Sequence, residues 1–375
     1  MFRVSDNKSS THVQQIGKML LNCLGFCGSM NITHTSSSQR KYPTVIEELC
    51  HQFSLADLRK STNNFDQNRV IGRGLFSEVY KGSVQHKGAS DYTVAVKRFN
   101  ERGLEAFKKE IELLCQLFHP NCVSIIGFCN HIKEKIIVYE YMSNGSLADY
   151  LQGGDAEALS WKKRLEICIG VARGLHYLHT GAKRSVFHCI LSPSTILLDD
   201  HLKPKLAGFG VNVQGSRFMT KKKQIKLDLI TGTFGYMATE YAINGTVTDK
   251  CDVFSFGMVL LEVVCGRQYL IHPRETEFLE KPVEEKIDAN IKGEIAPECW
   301  QVFIDIAHRC VKHEPDERPI IGEVEVELEH ALLLQEQADI TNTNGEYSLL
   351  SKTVIDLKLV REYFEQALFH QEDIT

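Results

Sequence analysis

His188-Cys189-Ile190-Leu191-Ser192-Pro193-Ser194-Thr195-Ile196-Leu197-Leu198-Asp199 decides the fold. Its apolar frame, Ile190, Leu191 and Ile196 to Leu198, surrounds a short polar centre. Ile190 can neither accept a proton nor orient a hydroxyl, so any chemistry centred on it is absent. Downstream, Leu206-Ala207-Gly208-Phe209-Gly210 places a glycine, with no side chain to offer, at 208. Upstream, Leu165, Ile169, Ala172, Leu175 and Leu178 mark one apolar face of a long helix. Further on, Asp252 to Val264 is apolar almost all round and predicts a buried helix, with Gly266 just past its end. Glu298 to Val311 and Ile321 to Leu334 give two more helices.

Toward the N-terminus the periodicity changes. Ser54-Leu55-Ala56-Asp57 fits a capping box opening a short helix through Thr62. Val70-Ile71-Gly72-Arg73-Gly74 reads as a strand entering a glycine turn, and the strand resumes at Val79-Tyr80. Thr93 to Phe99 alternates like a strand, Leu104 to Phe118 carries apolar residues at helical spacing, and Ile136 to Tyr139 reads as a buried strand. A lobe of strands with one helix thus precedes a mostly helical one.

A chain of 375 residues accommodates a two-lobed unit with tails. Its net charge of -5 argues against a nucleic-acid binder, which shows a basic excess. The twelve cysteines have no framework spacing, which points to reduced thiols in a cytosolic setting. Residues 1–44 are rich in Ser, Thr, Asn and Gln and read as a mobile leader. Met19 to Cys27 is about half the roughly 18–20 apolar residues a membrane span needs. A poorly ordered tail is one reading of it. A peripheral membrane anchor acylated at Cys23 or Cys27 is the other.

The ordered pieces resemble the protein-kinase domain from about Phe65 to about Leu334, and within it the plant receptor-like kinases of the malectin-like (FERONIA) type. The residues carrying this are Phe53 to Leu58, Arg164 to Gly170, Ala172 to Lys183, Ala296-Pro297-Glu298-Cys299 and Glu317-Arg318-Pro319, together with the 188–199 loop. The resemblance implies an α+β fold, a small antiparallel-sheet lobe with one main helix beside a larger helical lobe. It divides the chain into a leader (1–44), a lead-in helix (45–64), the small lobe and hinge (65–142), the large lobe (143–335) and a tail (336–375).

The likeness also assigns positions. Gly72 and Gly74 match the first two glycines of the phosphate loop and Val79 its valine, while Ser77 replaces the third glycine. Ala95 and Lys97 match the Val-Ala-x-Lys strand, with Glu110 as the helix partner of Lys97. Tyr139 stands at the gatekeeper position, Glu140 to Met142 at the hinge and Leu197 at the adenine floor, implying a purine-shaped cleft. The catalytic and metal positions depart from the pattern. Ile190 replaces the base, Ser192 the lysine, Thr195 the metal-binding asparagine and Gly208 the metal-binding aspartate. No metal site remains on this reading, no cofactor is required, and ATP binding is weak, without magnesium, or lost.

Structural positions of the pattern are kept. His188 and Phe209 match the apolar stack, Asp252 the helix-start aspartate that binds loop N–H groups, and Glu240 with Arg318 the buried ion pair, beside Thr239 in place of a proline. Cys189 replaces the arginine that receives an activation-loop phosphate, so phosphorylation at Ser216, Thr220, Thr231 or Thr233 lacks its usual receiver. Lys221-Lys222-Lys223 reads as solvated surface or as a contact for an acidic partner or membrane phosphate. The expectation is a cytoplasmic pseudokinase acting through other kinases at the inner face of the plasma membrane. A weak Ser/Thr kinase with relocated groups and a nucleotide sensor without turnover are the alternatives.

Overall fold

Ser54 opens the first helix among the described residues: its Oγ accepts the Asp57 N–H at 3.1 Å and donates to the Asp57 carboxylate at 2.6 Å. The helix, α1, runs Leu55–Ser61. The computed structural model describes residues 50–84, 91–151, 158–215, 224–227, 230–266, 282–342, 345–349, 353 and 355. The leader with Cys23 and Cys27, Ser216, Thr220, Lys221–Lys223 and the chain after 355 lie outside the described residues. The described chain divides into two compact units, one of residues up to 118 with 124–141, the other of 119–123 with 142 onward.

The first unit is built on a six-stranded sheet. Its strands are β1 (His51–Gln52), β2 (Val70–Gly74), β3 (Ser77–Val84), β4 (Tyr92–Phe99), β5 (Ile125–Asn130) and β6 (Lys135–Glu140), in the order β1-β5-β6-β4-β3-β2. Four of its pairings are antiparallel, but β1 runs parallel to β5, with His51 opposite Gly127. The antiparallel sheet expected for residues 65–142 is present as β2 to β6, and β1 adds a parallel edge from the lead-in segment. Gly127 permits the pairing, because a Cβ there would lie 2.0 Å from the His51 carbonyl oxygen. One face of the sheet is a core of Leu58, Phe65, Tyr80, Val94, Val96, Ile136 and Val138. Helix α2, Leu104–Leu114, buries Phe107, Glu110, Ile111, Leu113 and Leu114, and ends at Cys115, short of the Phe118 that periodicity suggested.

In the second unit the helices are α3 (Leu147–Leu151), α4 (Trp161–His176), α5 (Thr239–Asn244), α6 (Asp249–Cys265), α7 (Pro297–Cys310) and α8 (Ile321–Thr341). Helix α6 is buried from Cys251 to Cys265, begins after the Thr248 N-cap and ends on left-handed Gly266. Helix α8 runs seven residues past the expected Leu334. Gln335 explains this: it is buried, accepting from Ala296 N at 3.0 Å and donating to Glu294 O at 2.9 Å. Arg173 and His176 of α4 pair with Glu329 and Glu325 of α8, the first at 2.5 Å and the second at 2.7 Å. The segment beyond α8 returns: Tyr347 N donates to Gly293 O at 2.8 Å, Val283 N to Thr353 O at 2.9 Å, and Ile355 is buried. Short strands complete the unit: β7 (Val186–Phe187) with β10 (Val213–Gln214), β8 (Ile196–Leu198) with β9 (Pro204–Leu206), and β11 (Ile225–Lys226) with β12 (Thr246–Val247).

Candidate functional site

The positions of interest fall in both units, and each set has its own geometry. In the first unit, β2 and β3 form a hairpin with Gly72 opposite Val79 and Gly74 opposite Ser77. A Cβ at Gly74 would lie 3.2 Å from Ser77 Oγ, so the serine hydroxyl fills the space beside the glycine turn. Val79 is level with Lys97 on β4, and Ala95 with Tyr139 on β6.

Lys97, Glu110 and Tyr139 meet. Lys97 Nζ donates to both Glu110 oxygens, at 2.8 and 2.7 Å, and the Tyr139 hydroxyl donates to Oε1 at 2.5 Å. The carboxylate is 1% exposed. A buried charge of that kind is tolerated only when paired and hydrogen-bonded, and here it accepts three bonds. Burial, the neighbouring Glu110 charge and this bond together hold the Tyr139 hydroxyl far above its ordinary pKa. Tyr139 therefore ties the end of β6 to the middle of α2, a role the sequence did not reveal.

In the second unit, β8, β9 and the preceding loop carry the rest. Met142 is buried and Leu197 half-buried opposite Lys205. Asp199 closes the β8–β9 turn, accepting from His201 N and Lys203 N, each at 2.9 Å. Its carboxylate is committed to that turn.

Asp252, fully buried in the first turn of α6, accepts from His188 N at 2.8 Å and Cys189 N at 2.9 Å. His179 Nε2 meets the same carboxylate at 2.8 Å. Burial pushes the Asp252 carboxyl up, but the His179 bond and charge and the loop N–H groups outweigh it and hold the group below its ordinary value. Cys189 consequently sits at φ +69°, a conformation a non-glycine residue rarely adopts. The His188 ring lies edge-on to Phe209 at 5.5 Å, and its Nε2 bonds Ala207 O at 2.9 Å. A carbonyl only accepts, so Nε2 carries the proton, and burial lowers the ring's pKa toward the neutral form.

Ile190, Thr195 and Gly208 converge. Gly208 is left-handed at φ +91°, and a Cβ built there would lie 3.1 Å from Ile190 Cδ1 and 3.3 Å from Thr195 Cγ2. The Thr195 hydroxyl is engaged by its own loop, accepting from Ser192 N at 3.1 Å and donating to Ser192 O at 3.0 Å. Ser192 is 1% exposed, with an Oγ that finds no partner among the described residues. The three positions present one methyl-bearing hydroxyl, one branched aliphatic chain and no carboxylate or carboxamide. Hard divalent cations take anionic or amide oxygens, and this donor set does not fit magnesium.

The scaffold beneath is closely held. Arg318 forks onto Glu240 at 2.6 and 3.0 Å, and its other donors reach the carbonyls of Lys312, His313 and Lys250. Thr239 is buried as the first residue of α5.

Comparison with known proteins agrees with this architecture. Residues 65–328, more than half of the chain, match the family model described as protein tyrosine and serine/threonine kinase. The receptor-like protein kinase ANXUR2 of Arabidopsis thaliana is 41% identical over 310 residues, 78% of this chain and 35% of that protein. FERONIA, of the same plant, is 38% identical over 337 residues, 86% of this chain and 37% of its own length. THESEUS 1 is 38% identical over 318 residues, 81% of this chain and 36% of its own. The chain thus spans little more than a third of the length of these relatives. Within the described residues no helix is long and apolar enough to cross a membrane. Its two-unit fold and the match along residues 65–328 place the chain in the protein tyrosine and serine/threonine kinase family.

Proposed function

We propose that this chain is a pseudokinase, a kinase fold that works by protein contact rather than by phosphoryl transfer. One observation carries the reading: Ile190 and Thr195 flank Gly208 where the family keeps its base and its metal ligands. Kinases of this family use ATP with magnesium, and the chemistry depends on positioning and on neutralising phosphate charge. An aliphatic cluster supplies neither. Loss of a general base alone costs about 10²–10⁴-fold, and loss of the metal removes much of the electrostatic stabilisation on top of that. The retained Asp252 network and the Glu240–Arg318 pair support a scaffold kept for its shape.

On this reading the partners are other kinases of the receptor-like type, and the place of action is the cytoplasmic side of the plasma membrane. The names these relatives carry, receptor-like protein kinases, motivate that assignment. The 65–142 and 143–335 segments serve as the two lobes, with the flanking segments as connections. A nucleotide sensor without turnover is the second reading, favoured by the intact Lys97–Glu110 pair. In that case the first unit's Gly72, Gly74, Val79, Ala95 and Lys97, the last held by Glu110 beside Tyr139, contact the nucleotide without magnesium.

Thermal unfolding with ATP titrated to millimolar levels, with and without Mg²⁺, separates these readings, because a ligand of the native state raises the midpoint by mass action. The scaffold predicts no shift in either condition. A metal-independent shift lost in Lys97→Ala supports the sensor. A magnesium-enhanced shift followed by Lys97-dependent phosphotransfer would sink the pseudokinase assignment.

A further inference from the structure

Two cysteines 65 residues apart meet inside the first unit. Cys50 Sγ and Cys115 Sγ lie 3.6 Å from each other, and both residues are 6% exposed. Cys50 immediately precedes the two-residue strand β1, and Cys115 caps the C-terminus of α2. Both are free thiols. We propose that Cys50 and Cys115 form a peroxide-sensitive dithiol that closes to an intramolecular disulfide, fastening the chain ahead of β1 to the end of the helix that carries Glu110.

The environment polarises the pair. The bond from Cys115 holds the Cys50 thiol below its ordinary pKa, while the Cys115 thiol is raised by that same bond and by burial. The buried thiols of Cys168, Cys265 and Cys310 are instead pushed up to about 12 by burial. Thiolates, not thiols, attack peroxides and disulfides, and the first attack falls to Cys50, which lies ahead of the two-residue strand β1 on the looser side of the pair. Its sulfur attacks one oxygen of a hydroperoxide: the S–O bond forms, the O–O bond breaks, and the leaving alkoxide or hydroxide takes up the thiol proton. The Cys115 sulfur then attacks the Cys50 sulfenic sulfur. The S–S bond forms, the S–O bond breaks, and water leaves with the Cys115 proton. Two thiols are oxidised by two electrons and one hydroperoxide is reduced, which with hydrogen peroxide yields two waters.

Closure brings the sulfurs to about 2.05 Å. The Cys50 side can supply this movement, because β1 holds the sheet through only two residues and pairs with β5 alone. The product encloses a long loop, the arrangement in which a cross-link most restricts the unfolded chain. It also tethers α2 five residues from Glu110, so the Lys97–Glu110–Tyr139 cluster gains a covalent brace at its back.

The full chain is treated with equimolar hydrogen peroxide, alkylated and digested, and its peptides are mapped by mass spectrometry without reduction. The expected result is a linked pair of peptides containing Cys50 and Cys115, about 2 Da below the sum of the two thiols and released by dithiothreitol. The oxidised protein should melt about 5 °C or more above the reduced one. In Cys115→Ser that rise should vanish and Cys50 should accumulate as a sulfenic acid trapped by dimedone. Recovery of Cys50 and Cys115 as separately alkylated peptides, from protein still folded by circular dichroism, would overturn the proposal. So would a melting rise that persists in Cys50→Ser.

Discussion

At the scale of the residue, Gly208 shows how the 190–208 cluster resists repair. An aspartate there would have to adopt φ +91° and seat its Cβ 3.1 Å from Ile190 Cδ1. Strain of that kind costs roughly 1–3 kcal/mol, and the new carboxylate would face an aliphatic wall rather than a cation. Gly208→Asp is therefore expected to lower the melting midpoint by several degrees and to leave phosphotransfer undetectable. The gain of magnesium-dependent turnover by this single change would mean that the wall is not the obstacle. The altered residues at 190, 195 and 208 were legible in the sequence because they occupy fixed places in short motifs. The Tyr139–Glu110 bond was not, since it joins residues 29 apart and a tyrosine in a strand looks like any other core aromatic. The meeting of Cys50 and Cys115 was hidden for the same reason. Sequence spacing reports local frameworks, and this contact is made only when β1 is laid beside β5.

At the scale of the element, α6 carries a charge problem inside an almost wholly apolar helix. Glu262 is 1% exposed, its Oε2 accepts the Tyr236 hydroxyl, and burial raises its carboxyl to about 7. The unfolded group titrates near the ordinary 4.5. The native state therefore holds the proton more tightly, and the contribution is complete below about 4.5 and lost as pH rises through about 7. Glu262→Gln removes the charge and keeps an acceptor for Tyr236. The variant should match the wild type near pH 5 and exceed it by about 2–3 kcal/mol near pH 8, as read by chemical denaturation. A difference independent of pH would place the perturbation elsewhere. Element identity was easiest to read where periodicity was long, as in α4 and α6. The strand β5 was missed because Gly127 interrupts its alternation, and β1 because two residues carry no period. The last turns of α8 were missed because Gln335 reads as surface although it is buried between α7 and the loop before it.

At the scale of the whole molecule, the packed chain continues past α8. Glu284 accepts from Trp300 Nε1 at 2.9 Å and from Thr353 N at 2.9 and 3.1 Å, and Ile355 is buried beyond it. A chain stopped after Asn342 would lose the two Thr353 bonds to Glu284 and expose the apolar surface that Ile355 covers. Burial of one such side chain is worth about 1.5–3 kcal/mol, so the shortened protein should melt several degrees lower. An unchanged midpoint would make the returning segment ornamental. The polar composition of this stretch reads as a tail, and backbone bonds of the kind made by Tyr347 and Thr353 leave no mark in composition. The three residues packed at 190, 195 and 208 have one more consequence, and it concerns descent. Ile190 and Thr195 are the steric neighbours that an aspartate at 208 would meet, at 3.1 and 3.3 Å from its Cβ, so that change made alone is disfavoured. The pair works as an epistatic ratchet: a lineage carrying it would have to change the neighbours together with 208 before selection for catalysis could act.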